Sequence, residues 1–176
     1  MSRLLLVPSL LLISTLLACG STTDPCERFE FALAPEVSAA HVSTCSSTSC
    51  GNGMNPPNAG PHCSNTVACG VHDAELPQCQ WLHNLEHGHV VFLYNCPEGC
   101  PEEVAKLEEA QQAARRGGNG VLRALVAPAS GLPNRVAALL WRRTYLADSA
   151  DPEALRCLLQ LQDKEAPEPG LSCAAQ

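Results

Sequence analysis

Five of the six histidines, His62, His72, His83, His87 and His89, fall within 28 residues of a 176-residue chain, where even spacing would put about one. Imidazole is the commonest protein ligand for transition metals, so this density points first to metal binding. His83 and His87 are four apart, and on a helical turn both rings project from one face at a separation suited to sharing an ion. His62 ends the loop Gly60-Pro61-His62, which can fold back to supply a third ligand. His89 opens an apolar stretch and reads either as a fourth ligand or as an edge residue. His72, between Val71 and Asp73, reads as an exposed loop residue. The plainer alternative for the helical pair is a polar face. Three imidazoles without a thiolate suit copper or zinc, and the affinity order favours copper where it is available; zinc in a structural role is the alternative.

Glu86 lies between the helical pair, and His83-x-x-Glu86-His87 has the order of the inverted zinc-protease motif, in which two His bind zinc and Glu activates water. That motif needs a long helix, whereas here Gly88 and a strand pattern follow at once. The stronger expectation places Glu86 behind the ligands, accepting a hydrogen bond from an imidazole and fixing its tautomer. A surface carboxylate is the third possibility.

The surrounding pattern gives the elements that must position these groups. Trp81 and Leu85, four apart, mark a short helical turn that Gly88 stops. The continuous run Val90-Val91-Phe92-Leu93-Tyr94 predicts a strand buried on both faces. Pro101 opens a helix with Glu102 and Glu103 at its positive end, Val104 and Leu107 on one face, Arg115 and Arg116 at its negative end, and Gly117 beyond. Residues 121–127 predict a second strand ended by Pro128. Residues 136–141 fit a third strand or a helix about equally well. Asp151-Pro152-Glu153 caps a last helix to about Asp163. Residues 27–41 carry no confident pattern, and residues 43–70 are dense in turn formers and cysteine, a long loop of the kind that usually carries function. The expected fold is a small α/β (α+β) sheet with helices packed on it, thioredoxin-like arrangement being one candidate, after a loop-rich, disulfide-braced N-terminal half.

Eleven cysteines point to an oxidising compartment. Setting Cys19 aside leaves ten, enough for five disulfides. Leu155, Leu158 and Leu159 facing the core turn Cys157 outward, where a tail carrying Cys173 is expected to be stapled to it. Cys96 and Cys100 are close enough to bridge each other, as a structural disulfide or as a redox or Cu(I) pair. Cys100 falls at a helix N-terminus, where the dipole lowers a thiol pKa.

At the N-terminus, Arg3 followed by an apolar run to Leu17 reads as a secretory signal, too short for a secure membrane span. Leu16-Leu17-Ala18-Cys19 resembles a bacterial lipobox, which implies cleavage before Cys19 and lipidation of its sulfur. Gly20 and Ser21 after it resemble outer-membrane sorting in a Gram-negative cell; plain secretion is the alternative. The expected organisation is a signal peptide over 1–18, a lipidated N-terminus and tether over 19–42, one metal-binding domain over 43–164, and a tail over 165–176. The net charge of −7 argues against nucleic acid as a partner.

Asn55-Pro56-Pro57-Asn58-Ala59-Gly60-Pro61-His62, followed by His83-Asn84-Leu85-Glu86-His87-Gly88 before the strand, resembles the paired signature of a bacterial envelope family known as domain of unknown function 3105. The family pattern has Thr and Ser where this chain has Asn58 and Ala59. The resemblance implies that His62, His83, His87 and Glu86 form one site; it supplies no activity. Locally, Cys96-Pro97-Glu98-Gly99-Cys100-Pro101 is similar to the Cys-Pro-x-x-Cys-Pro loop of the Sco-type copper chaperones, although no His follows His89 to match their downstream ligand. The expectation is an envelope lipoprotein that binds copper, or alternatively zinc. Whether it is a delivery protein, a copper oxidoreductase or a structural module without metal stays open at this level.

Overall fold

The computed structural model describes residues 24–46 and 48–176; the expected signal peptide and lipidation site at Cys19 lie outside the described residues. Five strands form one mixed sheet: β1 (Gly70–Val71), β2 (Val90–Tyr94), β3 (Ala124–Pro128), β4 (Val136–Leu140) and β5 (Arg143–Ala147), in the spatial order β1-β3-β2-β4-β5. β1, β3 and β2 run parallel, while β4 is antiparallel to both β2 and β5. The helices are α1 (Gln78–Glu86), α2 (Pro101–Gln112) and α3 (Pro152–Leu159).

The alternation along β2 decides the layering, because successive side chains of a strand point to opposite faces. Val90 and Phe92 join Leu107 of α2 and Leu155 and Leu158 of α3 in one core. Val91 and Leu93 join Trp81, Leu82 and Leu85 of α1 in the other, together with Leu139 and Trp141. The fold is therefore α+β, one sheet with helices on both faces, as the buried apolar run predicts.

Helix starts follow their local signals, whereas α2 ends at Gln112, short of the expected Arg115 and Arg116, and α3 at Leu159, short of Asp163. Cys100 and Pro101 begin α2, and Asp151 caps α3 by accepting the amides of Glu153 and Ala154. Gly88, at φ +75°, ends α1: its N–H donates to Leu85 O and the N–H of His89 to Asn84 O, the paired bonds of a left-handed helix stop. Residues 136–141 resolve in favour of a strand, because Val136 to Leu140 pair with both β2 and β5. β3 starts three residues later than expected, since Arg116 and Leu122 bridge across the turn before it. β1 and β5 have no sequence signal of their own: the first is two residues long, and the second is a half-exposed strand set by the tight turn at Arg142, φ +65°.

The disulfide expectation divides. Five bridges form, but Cys157 pairs with Cys26, and Cys173 pairs with Cys69, not with Cys157. Cys157 does lie off the main core, yet it is only 2% exposed, because the 3-10 turn Pro25–Arg28 covers it. The other pairs are Cys45–Cys63, Cys50–Cys79 and Cys96–Cys100. The segment expected to be a tether is in its described part attached to the domain. Leu33 bridges to Arg143, the Arg142 guanidinium donates to Ala34 O at 2.8 Å, and His41 bridges to His62.

Candidate metal centre

α1 presents two stripes. Trp81, Leu82 and Leu85 enter the core, while His83, Glu86 and His87, spaced by three and four, line a second face. Against that second face lies the loop of residues 51–62. Gly60, at φ +113°, lets the chain pass directly over the Gly51 carbonyl, where any Cβ would collide. Asn58, fully buried, accepts from Asn52 Nδ2 at 2.8 Å and donates to Thr144 Oγ1 at 2.9 Å, which locks the loop to β5. The preceding strand-like segment docks alongside: Val42 N–H donates to His62 O at 2.8 Å and His62 N–H to Ala40 O at 3.2 Å. These bonds carry His41 into the same place.

The result is a ring of three imidazoles around one carboxylate oxygen. Glu86 Oε2 lies 2.9 Å from His62 Nε2, 3.5 Å from His83 Nε2 and 3.6 Å from His41 Nε2. An ion with metal–ligand bonds of about 2.1 Å spaces its ligands by about 3.4 Å in tetrahedral geometry; the three distances to Glu86 are of that order, and donor atoms of all four groups lie within 4.8 Å of one another. The polar atoms themselves ask for a cation. His62 Nδ1 lies 2.8 Å from Gly60 O, which can only accept, so Nδ1 carries a proton and donates it. In the neutral ring that leaves the Nε2 lone pair facing the Glu86 carboxylate, two acceptors that need a proton or a metal between them. His83 Nδ1, also buried, has no hydrogen-bond partner among the described residues. Burial, reinforced by the neighbouring His87, His62 and His41, pushes the His83 pKa down to about 4, which keeps this imidazole neutral and able to coordinate. His62 and Glu86 are enclosed, with the edge of the Trp141 indole packed against the His62 ring, whereas half of the His41 side chain meets solvent.

His62, His83 and Glu86 therefore come together as the sequence suggests, but Glu86 sits among the imidazoles and not behind them. His87 is adjacent, its ring 4.4 Å from that of His83, yet its Nε2 turns to Glu168 Oε2 at 3.5 Å. Burial lowers its pKa against the opposing pull of Glu86 and Glu168. His89 is not part of the cluster. Its Nδ1 accepts from Asn84 Nδ2 at 3.1 Å and its Nε2 donates to Leu171 O at 2.9 Å, so it ties the C-terminal tail to α1; burial drives its pKa to about 4. Cys69 and Cys173 beside it are joined to each other and offer no thiolate. His72 is half-buried, bonding Ala68 O and Gln176, and also lies apart from the centre.

Two contributors escaped the sequence. His41 lies in an unpatterned segment, and its one signal is being the remaining histidine. Asn84, inside the His-Asn-Leu-Glu-His run, holds the loop at Val67 with both amide atoms while also donating to His89. Cys96 and Cys100 close a disulfide at the opposite end of β2 from the histidines, so they do not complete the centre.

Fold and site together define a disulfide-braced α+β domain with a buried histidine–carboxylate cluster between one helix and its facing loops. The model of the family described as Protein of unknown function (DUF3105) matches residues 41–175, from His41 through every residue of the cluster, and the chain belongs to that family. No curated protein and no solved structure matches the chain.

Proposed function

We propose that this protein is a cell-envelope lipoprotein that holds a transition-metal ion, copper first and zinc second, on His41, His62, His83 and Glu86. The observation that carries this reading is the convergence of three Nε2 atoms on one Glu86 oxygen at 2.9 to 3.6 Å. Three nitrogens and one carboxylate oxygen form a borderline donor set, for which the divalent affinity order peaks at copper. The exposed flank at His41 favours an ion that can exchange or meet a small reactant over a sealed structural one, since structural sites are closed. Metal delivery and copper-dependent redox chemistry are both consistent with that opening. Envelope placement is supported by the five disulfides and by the lipobox-like Leu16-Leu17-Ala18-Cys19, through which a lipid on Cys19 would anchor the chain. Among the described residues no helix is long and apolar enough to cross a membrane.

The test is elemental analysis of the protein made in an oxidising periplasm with copper supplied, beside a His62→Ala, His83→Ala variant. A firmly held equivalent of copper that the variant loses is the expected result. No metal in either protein, even after loading with copper and then zinc, would overturn the reading and leave a structural or interaction module.

One observation favours a second activity beside this one. In each of the other four disulfides at least one cysteine is buried, but in Cys96–Cys100 neither is, and Cys100 caps α2 at the C-terminal end of the central parallel strand. That location, together with the strand order β1-β3-β2-β4-β5, supports a thioredoxin-like thiol exchange or Cu(I) role for the pair. Selective alkylation of Cys96 and Cys100 under a mild dithiol buffer, with the other eight cysteines still oxidised, is the outcome it requires.

A further inference from the structure

We propose that the centre takes two ions, with Glu86 shared between the histidine site and a second site completed by His87 and Glu168; this rests on the reading of the first site. The second group shares Glu86 with the first and adds two ligands of its own, His87 and Glu168. One donor atom from each of Glu86, His87 and Glu168 lies within 4.8 Å of the other two. The 3.5 Å between His87 Nε2 and Glu168 Oε2 is long for a charged hydrogen bond and close to the about 3.4 Å edge of a tetrahedral ion.

Glu168 is held where it is by backbone contacts unrelated to its charge. Its N–H donates to Glu86 O at 3.0 Å, at the end of α1. On either side the tail is fixed by Gly170 N–H to Asp163 Oδ1, by His89 to Leu171 O, and by the Cys69–Cys173 bridge. The tail thus delivers one carboxylate to the one helix position, His87, that the first site leaves unused. Glu86 has two carboxylate oxygens, and Oε2 is the one ringed by the three imidazoles. A carboxylate in that position can bridge two ions, and paired ions about 3.5–4 Å apart are a recurrent catalytic arrangement. The His83 and His87 rings, 4.4 Å apart, are close enough to serve such neighbours.

The donor sets differ. One nitrogen with two carboxylate oxygens and solvent is a harder set than three nitrogens with one, so the second site favours copper less strongly and admits zinc, cobalt or manganese more readily than the first. Glu168 is largely solvent-exposed, which makes this ion the weaker and more exchangeable of the two.

Cobalt(II) titrated into the full, disulfide-intact protein tests this, with bound cobalt measured by equilibrium dialysis and its paramagnetic resonance followed. The expected result is two equivalents, with signal intensity falling as the second binds, because Glu86 couples the two ions. Glu168→Ala and His87→Ala should each keep the first equivalent and weaken the second by about tenfold or more, with unchanged circular dichroism. A wild-type protein that binds one equivalent, lost in His62→Ala, would overturn the second site and leave the first standing. Two equivalents that both survive Glu168→Ala and His87→Ala would also overturn it. No bound cobalt at all would overturn the second site, while the first is judged by its copper and zinc loading.

Discussion

On the α2 and α3 face of the sheet, Phe92, Leu107, Leu155 and Leu158 pack with no exposure to solvent, carried by two helices that begin at prolines and have acidic first turns. On the α1 face, one nine-residue helix covers part of the sheet and irregular loops cover the rest. Their backbone is held by the Cys45–Cys63 and Cys50–Cys79 bridges, and by buried Asn58 and Asn84 in place of regular ladders. Apolar burial is non-directional, so the first face needs only residues of the right size at the right period. Hydrogen bonds and disulfides fix direction, and the second face uses them to hold donor atoms of three imidazoles and a carboxylate within 4.8 Å of one another. The histidine–carboxylate cluster lies on the face whose order is imposed by specific bonds.

That contrast can be broken most forcefully at Leu158. Leu158→Ala removes a fully buried side chain of α3 and should cost about 3 kcal/mol in urea unfolding. Metal stoichiometry of the folded variant should be unchanged; joint loss of metal would show that the faces are not separable. Replacing Cys50 and Cys79 by Ser opens a 29-residue separation and should cost a similar about 3 kcal/mol. Here the folded variant should also bind metal more weakly, because the bridge anchors the start of α1 to the His62 loop.

Asn84→Ala separates stability from site geometry more finely. It leaves the Val67 backbone and His89 without their amide partners, with an expected loss of about 2 kcal/mol and faster amide exchange in the tail. Unaltered exchange at residues 171–174 would count against His89 as the tail's anchor.

The smallest effect belongs to Glu103 on the opposite face. Burial would raise its pKa, but the Ala150 amide, Lys106 and the Ser149 hydroxyl outweigh this and hold it below the usual 4.5. A depressed carboxylate pKa contributes stability that is complete above about 4.5 and is lost as pH falls through the folded value. Glu103→Gln should therefore cost about 1 kcal/mol at neutral pH and flatten the acid side of the stability profile. An unchanged acid slope would show that other carboxylates set it.

Much of the first face was legible, for periodicity, proline at helix starts and the β2 run are local signals that its packing obeys. The site was legible in its ligand types and in the His83, Glu86 and His87 stripe. His89 misled because a histidine one residue before a strand has the same local pattern whether it turns to a metal or to a carbonyl. Cys157 misled because the helix pattern gives the side of α3 on which it lies, and nothing about which distant segment covers that side.

By itself the sequence determined the α+β class, the helix starts, the number of bridges and three members of the cluster, since composition, short-range pattern and residue type carry these. Only the tertiary structure decided that His41 joins the centre and His89 leaves it, that Glu86 faces the imidazoles, and how the cysteines other than Cys96 and Cys100 pair. Those four bridges join chain segments separated by 18 to 131 residues. Contacts at such separations follow from how the loops close around the buried Asn58, Gly60 and Asn84, and no local period encodes them.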